Sequence, residues 1–497
     1  MQNKLTKILA LLVLVFSTNS CDDYLDITKE GEQSSENFFN GQQDYEDALL
    51  GVYDLLGTNY LSHIIGEIAS DNALCGGERP DDVVDWQQID DMIHTPDNSS
   101  LRSVWQFMYG GISRANYIVE FQDKLDFARK QELLAENLFL RSYYYFTLVK
   151  FFGDVPLVVD KRVSVSESQG LERTPKADVY AQIQADLTTA IANLSWDASQ
   201  PGRVTKGAAL ALLGKIYLYD EKYDEAATAF QQVIASNNYE LETDFSTIFL
   251  NNNENNKESV FEIQYSIGVE GASYDFLQGS EGNVSAGFMS PRFTGDKSNW
   301  APYDDGNTFS TPVQSLVDLY VAGDTRLNPT IFNMEDYVTA NPAVTFDIRN
   351  EYTGYYNHKY MVYQESNLGD PRITHGNNFR AIRYSDVLLM AAEANLMATA
   401  QKNNPQDLLD LVRDRAFGDQ NHRVPANIDN ILLERRLELA GEGDRFFDQV
   451  RTGETITIPG FQNDKNEVFP IPRLEIELAG NRWCQNKGYA TSTCSTN

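Results

Sequence analysis

The stretch Lys206–Ala235 (KGAALALLGKIYLYDEKYDEAATAFQQVIA) constrains this chain more than any other. Leu213, Gly214, Tyr217, Ala226, Phe230 and Val233 fall at the spacing of a tetratricopeptide-type helix pair, with Tyr223 just after the turn. Small residues at Gly214 and Ala226 let two antiparallel helices approach closely, while Tyr217 and Phe230 fill the gap between units. One such pair cannot bury its apolar face alone, so other pairs must stack on it. Weaker pairs are legible at 102–152, 177–195 and 380–416, with insertions that break a fixed period. The fold class that follows is mainly α. Tetratricopeptide-like helix pairs form a superhelical scaffold, interrupted by a long loop-rich insertion containing short strands.

The scaffold is expected over about 34–250 and 380–452. Ser34 and Ser35 can cap a first helix whose stripe is Phe38, Tyr45, Leu49, Val52 and Leu56. Residues 60–97, rich in Gly, Pro, Asp and Asn, read as loops. A second helix follows Asp97-Asn98-Ser99-Ser100, with Trp105, Met108, Ile112 and Ala115 on one face. A third runs from about Ala128 to Phe152, stopped by Gly153 and then Pro156. Residues 251–379 change character: the polar run NNNENNKES precedes β-type pieces (Val260–Ile267) and many Gly, Ser, Asn and Pro. Tyr274, Phe276, Phe293, Trp300, Tyr303 and Phe309 are interleaved among them. Insertions of this length in compact domains usually carry function. Helices resume at Arg380–Ala400, Pro405–Phe417 and Ile428 to about Glu442.

The start of the chain says where it resides. Lys4 and Lys7 precede the apolar run Ile8–Phe16, which is too short to cross a bilayer and reads as a secretory signal over 1–20. Cys21 directly after it reads as a lipidated first residue, although Thr18-Asn19-Ser20 is a relaxed form of the usual preceding motif. Several acyl chains on one cysteine would anchor the protein stably, at ~0.8 kcal/mol per buried CH₂. Residues 21–33 are a polar, acidic tether. Cys75, Cys484 and Cys494 remain; a Cys484–Cys494 bridge across a short loop is available in an oxidising compartment.

Charge narrows the ligand. With 40 Lys plus Arg against 72 Asp plus Glu, the net charge of -32 opposes nucleic acid, whose phosphates must be neutralised by cations. Neutral ligands fit best. Catalytic patterns are missing: the five histidines form no metal-ligand pair on a helical face, no GxSxG elbow occurs, and no cofactor or metal is implied. Asp304-Asp305-Gly306-Asn307 is too short for a calcium loop and reads as a turn. The charged run from Glu434 to Arg451 reads as a partly buried ion network pinning a C-terminal helix.

Several segments, in order along the chain, carry a resemblance. They are CDDYLD at Cys21, ENFF at Glu36, ASDNA at Ala69, RSYYYFTLVKFFGDVPL at Arg141, and RVTKGAALALLGKIYLY at Arg203. FRAIRYSDVLLMAAEA at Phe379, ERRLELAGEGDRFFDQVRTG at Glu434, FPIPRLEI and QNKGY complete the set. The chain resembles the SusD/RagB family of nutrient-binding outer-membrane lipoproteins from Bacteroidetes-type bacteria. The resemblance implies a helical body with four tetratricopeptide-like pairs and a loop-rich half carrying the ligand site. It implies a surface-exposed, lipid-anchored protein of the cell outer membrane that captures oligo- or polysaccharide and passes it to a SusC-like TonB-dependent transporter. Asp22 and Asp23 look like the family's surface-export signal, and Tyr143, Tyr144 and Tyr145 read as packing residues. The resemblance points to Asp71, Asn72, Trp86, Trp300 and Tyr303 as glycan contacts, with Arg79 and Arg372 as weaker ones. The chemistry agrees, because aromatic faces pack on sugar rings while carboxylate, amide and guanidinium groups hold hydroxyls. Two other readings are open: a family member that captures oligopeptides, and a glycoside hydrolase with a carboxylate pair.

Overall fold

The computed structural model describes residues 38–267, 282–364, 370 and 372–489. The signal segment, the tether with Cys21, the Ser34-Ser35 cap, Tyr274, Phe276 and Cys494 lie outside them. Apart from single turns of four residues, the helices are α1 (Gln42–Asp54), α2 (Tyr60–Ile68), α3 (Val84–Asp90), α4 (Ser99–Glu120), α5 (Lys130–Phe152), α6 (Lys176–Asn193), α7 (Lys206–Tyr219) and α8 (Tyr223–Ala235). After them come the short α9 (Val284–Met289) and α10 (Met334–Ala340), then α11 (Tyr384–Met397), α12 (Pro405–Phe417), α13 (Ile428–Leu439), α14 (Arg445–Thr452) and α15 (Arg473–Leu478). Consecutive helices pack side by side from α4 to α8, and α8 then packs directly on α11, which packs on α12. The stack therefore closes across the insertion as though the intervening chain were absent.

The repeat read from the sequence forms as expected. A Cβ at Gly214 would lie 2.5 Å from the Phe230 ring, so α7 and α8 meet where only glycine fits. Asn98 caps α4, its side-chain oxygen accepting from the Leu101 amide at 3.0 Å. Helix α5 stops at Gly153, which takes φ +70°. Tyr144 and Tyr145 are buried, their hydroxyls donating to the carbonyls of Val52 and Val158. Half-buried Tyr143 donates to Asn59 at 3.0 Å.

Two segments differ from the sequence reading. Residues 60–97 contain α2, α3 and a strand: Leu61, Ile64, Ile65 and Ile68 are buried, and Gly66 lies against the Gly443 backbone, so tertiary contact orders a stretch whose composition suggests loops. The helix expected from Arg380 starts only at Tyr384, because Phe379–Arg383 pairs as a strand with Ser259–Ile263.

The insertion folds around four two-stranded antiparallel sheets. They pair β1 (Ala73–Gly76) with β4 (Phe309–Pro312), β2 (Ser259–Ile263) with β8 (Phe379–Arg383), β3 (Phe293–Thr294) with β6 (Thr345–Phe346), and β5 (Ile331–Asn333) with β7 (Tyr355–Asn357). The lobe has its own apolar core, built from Phe293, Trp300, Phe332, Met334, Val344, Tyr356 and Met361. The main core runs along the helical stack and into β2 and β8.

The charged segment 434–451 is a buried ion network, as its density suggests, and it reaches further than the sequence shows. Fully buried Arg326 pairs with Asp324, Glu434 and Glu438. Glu438 also meets Arg383 at 2.9 Å and Arg415 at 2.6 Å. Arg383 continues to Glu258 and Glu442, and Lys359 reaches Glu442 at 2.7 Å. Helices α12 and α13, strand β8, the residue before β2 and two loops of the lobe are thereby fastened at one point. Cys484 is disulfide-bonded, while Cys75 is a buried free thiol.

Candidate functional site

The face that gathers polar groups lies on the lobe, where β1 leaves the sheet and β3 pairs with β6. Gly76 and Gly77 take φ +74° and +94°, and a Cβ on Gly77 would sit 2.7 Å from the Phe309 ring. Only glycine allows this turn, which carries the chain out to Glu78 and Arg79. The register Phe293↔Phe346 and Thr294↔Thr345 places the loop after β6 beside Arg292. The Asp347 amide donates to the Arg292 carbonyl at 3.1 Å, and the Asn350 side chain donates to the Gly76 carbonyl at 3.1 Å. Two loops distant in sequence are thus locked together.

Guanidinium and carboxylate groups alternate across this face. Arg292 donates to Asn307 at 3.0 Å and approaches Asp305 at 3.4 Å. Burial raises the Asp305 carboxyl, opposed by the fields of Arg292 and Arg372. Arg372 grips Asp370 with two bonds of 2.9 Å. Burial alone would raise Asp370, but those bonds and the nearby Arg292 hold it below its ordinary value. Arg349 bridges Asp347 and Glu78. The half-buried rings of Phe346 and Tyr352 lie 5.8 Å apart beneath, and Ile348 stands 69% exposed. Such a surface offers planar donors and acceptors for hydroxyl groups beside apolar ring faces.

The residues suggested by the sequence divide into three groups. Arg79, with its side chain 67% exposed and paired to Asp81 at 3.2 Å, and Arg372 lie on this lobe face. Trp300 and Tyr303 lie under it. Trp300 is 9% exposed, stacks on Phe293 at 5.7 Å and donates its indole N–H to the Thr294 carbonyl. Tyr303 is surrounded by Phe332, Tyr337, His358 and Tyr363, with its hydroxyl 2.9 Å from His358. Both belong to the lobe's core and its rim rather than to an open platform.

Asp71, Asn72 and Trp86 lie apart from this face. Asp71 accepts from Arg445 at 2.8 and 3.1 Å and from Thr457 at 2.7 Å, and it also pairs with Arg436. Burial would raise its carboxyl, but these guanidinium contacts hold it low. Asn72 is buried and accepts from Arg436 at 2.8 Å. The pair therefore pins α13 and α14 to β1, and neither side chain reaches the lobe face. Trp86 is 3% exposed and packs edge-on to Phe288 and Phe309 as part of the core. Its polar sequence neighbours concealed this, since α3 turns one apolar side inward.

Arg292, Asp305, Asn307, Asp347 and Arg349 were not singled out from the sequence. The turn read at 304–307 does supply two of them, but no spacing links them to Arg349. Strand pairing alone brings them together. Among the described residues no group of three His, Cys, Asp or Glu is arranged to hold a metal. Strongly raised carboxyls lie elsewhere. Burial takes Asp90 to about 8 and Glu67 to about 7; Asp90 accepts from the Cys75 amide and Glu67 from the Gly443 amide.

Fold and face together define an α-repeat scaffold that presents a polar, loop-built surface on an inserted lobe. Profiles of two families tile the chain: "SusD family" over residues 246–489 and "Starch-binding associating with outer membrane" over 23–218. The chain belongs to the SusD family. A solved structure described as a laminarin binding SusD-like protein shares 31% identity at a TM-score of 0.82, covering 91% of this chain and 100% of that one. Surface glycan-binding protein A from Bacteroides thetaiotaomicron, solved in complex with laminarihexaose, shares 26% identity at a TM-score of 0.80, covering 90% and 99%. Among curated relatives, SusD-like protein P25 of Formosa agariphila is 25% identical over 90% of both chains.

Proposed function

We propose that this protein captures a neutral glycan of the laminarin type on the lobe face around Arg79, Arg292, Arg349 and Arg372, and holds it without cleaving it. The reading rests chiefly on similarity along nearly the whole chain to a laminarin binding SusD-like protein. The face supports it: its cations are matched by carboxylates, so it offers directional hydrogen bonds rather than a net field for an anion. Captured glycan passes to a TonB-dependent transporter of the outer membrane, and Cys21 carries the lipid that keeps the protein at the cell surface. Trp300 and Tyr303 contribute by supporting the face from below.

Calorimetry with laminarihexaose tests this. Arg292→Ala and Arg372→Ala should each weaken binding by about tenfold, consistent with the loss of a charged hydrogen-bonding group, with thermal unfolding little changed. Undiminished affinity in both variants, or binding of an oligopeptide panel in place of the hexasaccharide, would overturn the assignment.

A further inference from the structure

A second cleft lies well away in sequence from the lobe face, between the loop joining α6 to α7, the turn after α8 and the start of β2. Its volume is about 450 Å³, within the ~300–1,000 Å³ typical of small-ligand clefts. Trp196 forms part of the wall, half-buried and resting on the main core. The indole N–H of Trp196, the carboxylate of exposed Asp197 and the side-chain amide of exposed Asn238 have no hydrogen-bond partner among the described residues. The hydroxyls of Tyr239 and Thr205, also in the lining, meet at 3.1 Å. Gly207 lets Tyr239 lie this close, since a Cβ there would sit 2.1 Å from its hydroxyl.

The remaining lining cation is Arg203, and it is already engaged. It pairs with Glu136 at 3.2 Å and Glu46 at 3.5 Å, and its guanidinium lies 5.3 Å from the centre of the Tyr53 ring. The cleft therefore offers an anion no available cation and two carboxylates, Asp197, which is unpaired among the described residues, and Glu262, which is engaged by Arg380 and Asn378. It offers a neutral polyol an aromatic wall, an N–H donor, a carboxylate acceptor and an amide. The groups that the fold leaves unpaired are those that a sugar ring with several hydroxyls can satisfy together.

We infer that the Trp196 cleft is a second carbohydrate-binding site, taking one or two neutral hexose units of a chain whose main length lies on the lobe face. The inference rests on the glycan reading above and adds a second point of attachment. A polymer long enough to reach both gains by effective concentration, whereas a short oligosaccharide held at the lobe face does not.

The test compares laminarin with laminarihexaose, using affinity electrophoresis for the polymer and calorimetry for the hexasaccharide. Trp196→Ala should weaken laminarin binding at least threefold and leave hexasaccharide affinity within twofold. Because Trp196 also rests on the core, a second variant carrying Asp197→Ala and Asn238→Ala, both exposed, should give the same pattern with unchanged thermal unfolding. Unchanged laminarin binding in both variants overturns the second site while leaving the lobe-face reading intact. If the wild-type protein binds neither probe, the glycan reading fails and the cleft assignment falls with it.

Discussion

Glu438→Gln removes one charge from the centre of the buried network while preserving shape. Around Glu438 the network contains five cations (Arg326, Lys359, Arg383, Arg413, Arg415) and five carboxylates (Glu258, Asp324, Glu434, Glu438, Glu442). The substitution leaves a net buried charge of about +1 and strips one partner each from Arg326, Arg383 and Arg415. Breaking a buried pair in this way costs ~3–5 kcal/mol, a large part of a typical total stability of ~5–15 kcal/mol. The sign with pH follows from the carboxyl itself. Burial would raise it, but Arg415, Arg383 and Arg326 together hold it well below the ordinary value of 4.5. Its contribution is therefore present above pH 4.5 and lost as pH falls towards the lower folded value. Urea melts at pH 7 should show the full gap between wild type and variant. Below pH 4.5 the gap should close by about 1.4 kcal/mol per unit. A gap under about 1 kcal/mol at pH 7, or one that does not change on acidification, would refute the claim that this carboxylate balances the network.

Three further outcomes follow from burial and from the start of the chain. Trp86→Ala and Trp300→Ala should each cost ~3–5 kcal/mol in denaturant melts; stability within about 1 kcal/mol of wild type would mean these rings are not core residues. Asp90, raised to about 8 chiefly by burial and further by Glu351 and Asp91, holds its proton in the fold between about 3.8 and 8 and loses it when unfolded. Wild-type stability should fall as pH rises through that window, and Asp90→Asn should flatten the slope; identical slopes in melts between pH 5 and 9 would contradict the assignment. Cys21→Ala should move the protein from the membrane to the soluble fraction, and unchanged fractionation would refute lipidation there.

Much of the scaffold was legible because helical repeats write their packing into local spacing. Gly214 opposite Phe230, the Asn98 cap and the Gly153 stop each depend on neighbours within a turn or within one helix pair. The lobe is different. Trp86 and Trp300 lie in polar sequence, so aromatic character invited a ligand reading, yet each packs against rings from other segments: Trp86 on Phe288 and Phe309, Trp300 on Phe293. Asp71 and Asn72 sit in a motif that invites a binding role, but the arginines that engage them are more than 360 positions away.

By itself the sequence determined the helical stack, its interruption by a loop-rich stretch with short strands, the acidic composition and the family. Tertiary structure alone decided which polar groups face outward together. Strand register joins Arg292 to the loop carrying Arg349, and a ten-charge network clamps the lobe to the helices. The reason is range. A helix pair is specified by side chains three and four residues apart, whereas a site made of loops is specified by pairings whose partners carry no fixed separation along the chain.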